Sequence, residues 1–416
     1  MTICMIMRIY RTHVKRKTFL LIYAKNRYKL LSVYAEVHCA LESFREIGCI
    51  FECIFIMIGR SREDATMRRV RLDKIGSATF RSGIGRDVYL TDEIVVKEGY
   101  VVAGRILNDK SGYNELENSE GRMVPLKSGD CIAGVLGHRN ALHGYEGRLP
   151  EEVRPGDRIH LLNLGGVLGV CTSFNPDVGR PFEIEVMGAV LHFPYLEKRV
   201  GVPAHIHLQA IPDNLKIRRI PPLVAVVGTC MNAGKTVAAC EVIHGLVQKG
   251  MRVSAAKVTG VALQQDVLRM IDYGASEALS FADAGVVATG PETASAVTRR
   301  LISNLSRSKP DVVVLEFGDG IFGDYGVQTV LNDNEIRQWL RCVVLCANDP
   351  AGAWGACRFL KRIGIATQVV SGPVTDNRVG RSFIESQLGL KAANARTNPE
   401  PLIETVHKEV SLHATT

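Results

Sequence analysis

An apolar segment that runs directly into a glycine-containing loop constrains this fold more than any other feature of the sequence. Five apolar residues, Leu223–Val227, precede GTCMNAGKT (228–236), and a helical pattern extends from Lys235 to Lys249. A buried strand that leads into a small-residue loop and then a helix presents backbone N–H groups and a helix N-terminus to an anion. We therefore predict a phosphate-binding loop here, although its glycine spacing is one residue longer than in the Gly-x4-Gly-Lys-Ser/Thr form.

The rest of the C-terminal half alternates short apolar runs with helical patterns. The runs MRVSAAKVTG, DVVVLEFGDG, RCVVLCAND and ATQVVSG follow the loop in that order. Near-continuous apolar strands between helices predict an α/β fold with a parallel sheet and helices on both faces, which we place at 223–416. Because such sheets bind ligands beyond the carboxyl ends of their strands, the residues after each strand are the candidates for function.

Residues 67–214 show a different pattern. Runs such as YVVAGRIL and FEIEVMGAVL are separated by turn sequences such as KSGD and RPGD. Short strands at this spacing predict a smaller β-rich domain of the barrel or sandwich kind. The glycine-rich segment 162–181 either approaches a ligand or forms turns and bulges that close a barrel, and we favour the second. Residues 215–222, rich in proline and basic residues, are interpreted as a linker.

Most of the net positive charge lies in the first 66 residues. Residues 1–66 hold eleven Lys and Arg against six Asp and Glu, so five of the eight net positive charges are found there. The nearly neutral remainder does not predict nucleic-acid binding. The segment is either a membrane-surface or partner-binding helix or an extension outside the folded core, with the natural start at Met67, and we favour the extension.

Two further features bear on the compartment. No apolar run reaches the ~18 residues that a membrane-spanning helix needs, so we expect no stable membrane insertion. The eleven cysteines include no CxxC pair, which favours free thiols in a cytoplasmic protein.

The residue types in the loop suit the binding of a nucleoside triphosphate. Backbone groups of the loop would surround phosphate oxygens, Lys235 would bridge them, and the Thr236 hydroxyl would bind Mg²⁺. After later strands, Asn348 and Asn377 either recognise the base or are plain turn residues. The predicted nucleotide-binding residues are Gly228, Thr229, Asn232, Ala233, Gly234, Lys235, Thr236, Val237, Asn348 and Asn377.

Three residues at other strand ends are further candidates. Lys257 in AAKVTG either faces the site or extends to solvent, and Asp266 in VALQQD either binds a metal or caps a helix. Glu316 ends four apolar residues, where an unpaired carboxylate would be costly outside a site. The segments FADAGVVATG and GDGIFGDYG are expected to line a second-substrate pocket, with polar anchors at Asp283, Asp319 and Asp324.

The loop together with these strand ends resembles dethiobiotin synthetase and its relatives among the P-loop proteins. GTCMNAGKT is similar to the Gly-Thr-x4-Gly-Lys-Thr loop of that enzyme, and Lys257, Asp266 and Glu316 match its strand-end lysine, aspartate and glutamate. The resemblance implies a Mg²⁺ site of Thr236, Asp266 and Glu316, catalytic roles for Lys235 and Lys257, and a homodimer. Residues 221–387 are also similar to an uncharacterised-domain family that includes a D-glutamate N-acetyltransferase, whose members begin with a doubly wound domain.

These features together predict an ATP- and Mg²⁺-dependent enzyme. Its reaction would be of the synthetase (ligase) or kinase type, on a small carboxylate- or amine-bearing metabolite. One alternative is a nucleotide-dependent switch or assembly ATPase or GTPase. Another is a coenzyme-A-dependent N-acyltransferase that uses the loop for the coenzyme phosphates.

Overall fold

The computed structural model describes residues 67–194, 200–213 and 220–412. The predictions for residues 1–66, for most of the linker at 215–222 and for the last four residues of the 223–416 domain lie outside the described residues. Two sheets, one antiparallel-rich and one parallel, belong to the same compact unit.

The β-rich region precedes the α/β region in the chain. Its strands are β1 (Arg68–Arg71), β2 (Lys74–Ile75), β3 (Asp87–Thr91), β4 (Val101–Ile106), β5 (Glu115–Glu117), β6 (Met123–Pro125), β7 (Cys131–Leu136), β8 (Arg139–Asn140), β9 (Tyr145–Arg148), β10 (Arg158–Leu161), β11 (Val167–Phe174), β12 (Glu183–His192) and β13 (Val202–Pro203).

The α/β region supplies the remaining elements. Its strands are β14 (Leu223–Gly228), β15 (Val253–Thr259), β16 (Glu277–Ser280), β17 (Val312–Phe317), β18 (Leu340–Cys346), β19 (Val369–Ser371) and β20 (Lys391–Ala392). Its helices are α1 (Lys235–Gln248), α2 (Gln265–Asp272), α3 (Ala294–Leu305), α4 (Val327–Asn332), α5 (Asn334–Arg337), α6 (Pro350–Arg362), α7 (Arg378–Leu388) and α8 (Glu400–Ser411).

Five strands of the β-rich region close into a barrel. β12 pairs with β4, β4 with β7, β7 with β11, β11 with β10, and β10 returns to β12. The residues that fill the ring include Val102, Ile132, Ile159, Leu168 and Ile184, all buried. Because every ring strand is paired on both sides, the ring has no free edge.

The glycine-rich segment 162–181 contributes to this barrel. It contains β11, whose register against β9 shifts between Cys171 and Ser173. This agrees with the interpretation that the segment closes a barrel with turns and bulges.

The α/β region is built around a seven-stranded sheet in the order β16-β15-β17-β14-β18-β19-β20, and all its pairings are parallel. Alternate residues of β14 face opposite sides, as the two-residue period of a strand requires. Val224 and Val226 pack with apolar residues of α1 and α8, whereas Ala225 and Val227 belong to the cluster that includes α3, α6 and α7. The predicted parallel sheet with helices on both faces is therefore confirmed.

The two regions share one hydrophobic cluster. Leu72 and Ala78 of the β-rich region belong to the same buried cluster as Ala262, Phe281 and Val287, which follow strands β15 and β16. The carboxyl edge of the parallel sheet is therefore packed against the β-rich region. Within the part of the chain that the structure describes, no helix is long and apolar enough to cross a membrane.

Candidate functional site

The loop at 228–236 adopts a backbone that wraps around its own lysine. Asn232 and Gly234 have positive φ angles of 60° and 85°, in the left-handed region. A Cβ atom at Gly228 would lie 2.7 Å from Cδ of Lys235, so only glycine leaves room for that side chain. Lys235 is 6% exposed, and its Nζ donates a hydrogen bond to the Cys230 carbonyl at 2.6 Å.

Backbone contacts from neighbouring loops hold this loop in place. The Thr229 N–H donates to the carbonyl of Cys346, the last residue of β18, at 3.0 Å. A Cβ atom at Gly320 would lie 2.4 Å from the backbone carbonyl oxygen of Thr229. A Cβ atom at Gly372 would lie 2.4 Å from the backbone carbonyl oxygen of Ala233. Glycines after β17 and β19 thus permit direct contact between backbones around the loop.

Charged and hydroxyl groups from four elements converge beside the loop. The Thr236 hydroxyl donates to Glu316 Oε1 at 2.7 Å, and Lys257 Nζ donates to the same oxygen at 2.7 Å. Lys257 also pairs with Asp266 Oδ2 at 2.8 Å. The structure therefore brings together the three predicted metal ligands, Thr236, Asp266 and Glu316, with the predicted catalytic Lys257.

Burial and mutual attraction decide the charges of these groups. Burial alone would lower the pKa of Lys257, but Asp266 and Glu316 raise it above its ordinary value. Burial alone would raise the pKa of Asp266, but the Lys257 ammonium holds it below its ordinary value. The pair is therefore charged at neutral pH. Burial, together with the charge of Lys257, lowers the pKa of Lys235, which a bound polyanion would offset.

The donor set fits a hard divalent cation. Carboxylate and hydroxyl oxygens are the ligands that Mg²⁺ prefers. Glu316 is fully buried, and its Oε2 has no hydrogen-bond partner among the described residues, which leaves a free acceptor atom in the cluster. The Lys257 ammonium lies between the carboxylates of Asp266 and Glu316, so a bound cation would compete with it for the same oxygen atoms. No group of three or more His, Cys, Asp or Glu side chains that could hold a metal occurs in the described ranges.

The residues predicted to contact the nucleotide outside the loop differ in their placement. Asn348 Nδ2 lies 3.0 Å from Sγ of Cys230, directly beside the loop. The side-chain oxygen of Asn377 accepts from two backbone N–H groups at the start of α7, so it caps that helix and leaves its NH₂ group for any contact with a base. Val237, in the first turn of α1, is 37% exposed.

The structure places two of the three predicted pocket anchors, Asp283 and Asp319, in different surroundings. Asp283 pairs with Arg81 of the β-rich region and forms a capping box with Ser280. Asp319 has a left-handed backbone with φ of 67°. Burial raises the pKa of the Asp319 carboxyl, while Lys235 acts in the opposite direction. Asp319 therefore lies near the loop, whereas the contacts of Asp283 are those of a structural residue.

Side chains and backbone groups of the β-rich region hold the loops at the carboxyl edge of the parallel sheet in place. These contacts were not predicted from the sequence. The buried Glu117 accepts N–H groups of Gln264 and Gln265, and Asn163 donates to the Ala262 carbonyl at 2.9 Å. On a neighbouring loop, the Tyr325 hydroxyl accepts the Asn140 N–H at 3.0 Å. These residues lie in ordinary polar turns and short strands, and no sequence signal distinguishes them from exposed ones.

Comparison with known proteins identifies no family. No family model and no curated protein matches the chain.

The chain is similar in part to solved structures. They include chloroplast FtsY from Physcomitrella patens, at 14% identity over 47% of this chain and 68% of that chain, with a TM-score of 0.33. Signal recognition particle 54 kDa protein from Aeropyrum pernix K1 in complex with GDP matches at 16% identity over 50% of this chain and 53% of that chain, TM-score 0.32. A DUF1611 family protein from Anabaena variabilis matches at 14% identity over 48% and 63%, TM-score 0.36.

Similarity this low carries no argument about this chain. The description of the fold rests instead on the strand order, the loop and the helix that follows it. By these features the α/β region has the P-loop nucleotide-binding fold.

Proposed function

We propose that this chain is an ATP- and Mg²⁺-dependent enzyme of the synthetase or kinase type that acts on a small carboxylate- or amine-bearing metabolite. The observation that carries the proposal is a second lysine beside the P-loop, Lys257, whose side chain is 13% exposed. Lys257 lies 2.7 Å from Glu316, which also accepts the hydroxyl of Thr236. Lys257 balances the charge of Glu316, and it also places a second cation beside the loop, where it could contact an anionic group of another substrate.

Each residue of the cluster has a role in this proposal. The backbone N–H groups of 228–236 and Lys235 bind the β- and γ-phosphates, and Thr236, Asp266 and Glu316 would hold Mg²⁺, which neutralises phosphate charge when bound. Lys257 holds an anionic group of the second substrate next to the γ-phosphate and offsets the charge that develops during transfer. Removal of one such charge-stabilising contact costs ~10²–10³ in rate.

The fixed loops around the cluster favour an enzyme over a nucleotide-dependent switch. A switch needs segments that become ordered when the nucleotide binds. Here the loops after β15 and β17 are already tied to the β-rich region through Glu117, Asn163 and the Tyr325 hydroxyl. Relatives of dethiobiotin synthetase include dimeric switches that often carry an extra lysine early in the loop, and this chain, which resembles that group, has Thr229 and Cys230 there. The proposed homodimer rests on the resemblance to dethiobiotin synthetase, and sedimentation velocity would test it.

Phosphate release from ATP and Mg²⁺ tests the proposal. The rate is measured with and without a pooled panel of amino and dicarboxylic acids, for the unmodified chain, Lys235→Ala and the control Lys249→Ala. Lys249 is an exposed lysine directly after the C-terminal end of α1, and it pairs with Glu400 at 3.3 Å. We expect the panel to stimulate release in the unmodified chain and the control, and Lys235→Ala to abolish it.

Two other results would overturn the proposal. Tight nucleotide binding with a near-zero rate that only a protein partner raises would indicate a switch. Binding of coenzyme A in preference to ATP would indicate an acyltransferase.

A further inference from the structure

A buried carboxylate of the β-rich region contacts the start of helix α2. Glu117 is 0% exposed; its Oε2 accepts the Gln264 N–H at 2.8 Å and its Oε1 accepts the Gln265 N–H at 2.6 Å. The Ser77 hydroxyl donates to the same carboxylate, and the backbone N–H of Glu117 donates to the Leu164 carbonyl at 2.6 Å. Contacts within the β-rich region, with Ser77 and Leu164, therefore hold Glu117 in place.

Helix α2 packs on β15, β16 and α1 but buries little of its own surface. It is eight residues long, no side-chain cap is provided by its own N-cap residue Gln264, and Met270 is its one fully buried residue. Isolated helices of this length are unstable in water, so the position of such a helix is set by its contacts. A negative charge at the first N–H groups satisfies donors that would otherwise be unpaired and interacts favourably with the helix dipole.

The first turn of this helix carries Asp266. Its Oδ2 lies 2.8 Å from Lys257 Nζ, and it follows directly after the two residues that Glu117 binds. A shift of the helix start would therefore change the distance between Asp266 and Lys257.

We infer that Glu117 is a positioning residue: its carboxylate, contributed by the β-rich region, fixes the start of α2 and so holds Asp266 against Lys257. The inference rests on the proposed function for the roles of Asp266 and Lys257. It assigns the β-rich region a part in the active site, because the residue that holds the start of α2 belongs to that region.

Hydrogen exchange of the full chain provides a test that does not depend on turnover. Glu117→Gln keeps the size of the side chain but replaces one acceptor oxygen with an NH₂ group that faces a backbone N–H. We expect the amides of 264–272 to exchange about tenfold faster, the factor that loss of a helix cap implies. Glu120→Gln changes an exposed carboxylate in the same hairpin and should leave this exchange unchanged. Equal exchange in both variants overturns the inference.

A double-mutant cycle tests whether Glu117 acts through Asp266. Panel-stimulated turnover is measured for Glu117→Gln, Asp266→Asn and the double variant. We expect Glu117→Gln to lower kcat about tenfold with the KM for ATP unchanged, and to have no further effect once Asp266 is replaced. A purely structural role would lower kcat by the same factor in both backgrounds, and that result overturns the inference.

Two further cases can be distinguished: a Glu117 variant that does not fold, and a panel of acids that supports no turnover. If Glu117→Gln does not fold, Ser77→Ala removes the hydroxyl that orients the carboxylate, and the same exchange and cycle are read from that variant. If exchange rises at 264–272 but no acid of the panel supports turnover, the proposed function fails while the placement of α2 by Glu117 stands.

Discussion

Lys257 and Glu316 lie opposite each other in the adjacent parallel strands β15 and β17, and Lys257 Nζ and Glu316 Oε1 are 2.7 Å apart. Register in a buried sheet is strongly specified, because a slip of one residue would reverse the direction of every side chain. The sheet itself therefore sets the distance between these two charges.

Replacement of Lys257 by Met should leave the buried Glu316 without its cation. Breaking a buried pair by removal of one partner costs about 3–5 kcal/mol, and we expect a loss of about 3 kcal/mol because Thr236 still donates to the carboxylate. Urea unfolding at neutral pH measures the change. The double variant Lys257→Met/Glu316→Gln should recover much of the loss, and equal stability of the single and double variants would contradict this account.

Thr236→Val should weaken the dependence of the site on Mg²⁺. The hydroxyl lies 2.7 Å from Glu316 Oε1, so its removal takes away both a proposed ligand and a partner that orients another. We expect the Mg²⁺ concentration for half-maximal turnover to rise ~10–100-fold, with nucleotide affinity in EDTA unchanged. Thr236→Ser keeps the hydroxyl and serves as the control; a similar shift in both variants would show that the methyl group matters instead.

Gly320→Ala should displace the P-loop. The added Cβ would lie 2.4 Å from the Thr229 oxygen and 2.9 Å from the Cys230 Cα, both backbone atoms. Overpacking of this kind costs about 1–3 kcal/mol, and we expect nucleotide affinity to fall with it in a titration. The matched control is Gly355→Ala in α6, where no atom lies within 4 Å of the added Cβ. That change should stabilise the helix by about 0.5–1 kcal/mol and leave affinity unaltered.

The contact between His138 and Glu98 should make stability depend on pH. The hydrogen bond that the His138 ring donates to the Glu98 carboxylate raises the pKa of His138, whereas burial opposes the rise. The same carboxylate accepts the N–H groups of Val287 and Ala288 at 3.2 Å. A folded-state pKa above the unfolded value gives a stabilisation that is fully present below about pH 6.5 and is lost as the pH rises through the folded pKa. Urea unfolding between pH 6 and pH 9 measures it, and His138→Gln should remove this dependence.

The elements that carry the nucleotide-binding fold were predictable from local patterns. β15, β17 and β19 lie within the apolar runs from which they were predicted, and β14 and β18 each extend one residue beyond theirs. The agreement follows because buried parallel strands are apolar throughout. The short strands β16 and β20 were not predicted. Each has four residues or fewer and pairs at or near a sheet edge, so its existence depends on neighbours rather than on its own sequence.

The contacts of the candidate site also fall into two groups, those that the sequence predicts and those that it does not. The convergence of Thr236, Lys257 and Glu316 follows from the rule that parallel strands end at one edge. The contact of Glu117 with Gln264 joins residues 147 positions apart, and nothing in the polar turn around Glu117 indicates burial. Such contacts depend on how two regions pack, which periodicity and spacing do not encode.

The central place of β14 also has a consequence for how the chain acquires its structure during synthesis. β14 pairs with β17 and β18, and the Thr229 N–H in the P-loop donates to the carbonyl of Cys346. The ribosome must therefore release more than a hundred further residues before the strand that precedes the loop has both neighbours. Until then its apolar face is open to other chains. A nascent chain stalled before residue 346 should depend on chaperones and bind no nucleotide, whereas the barrel, complete by residue 192, would already have closed.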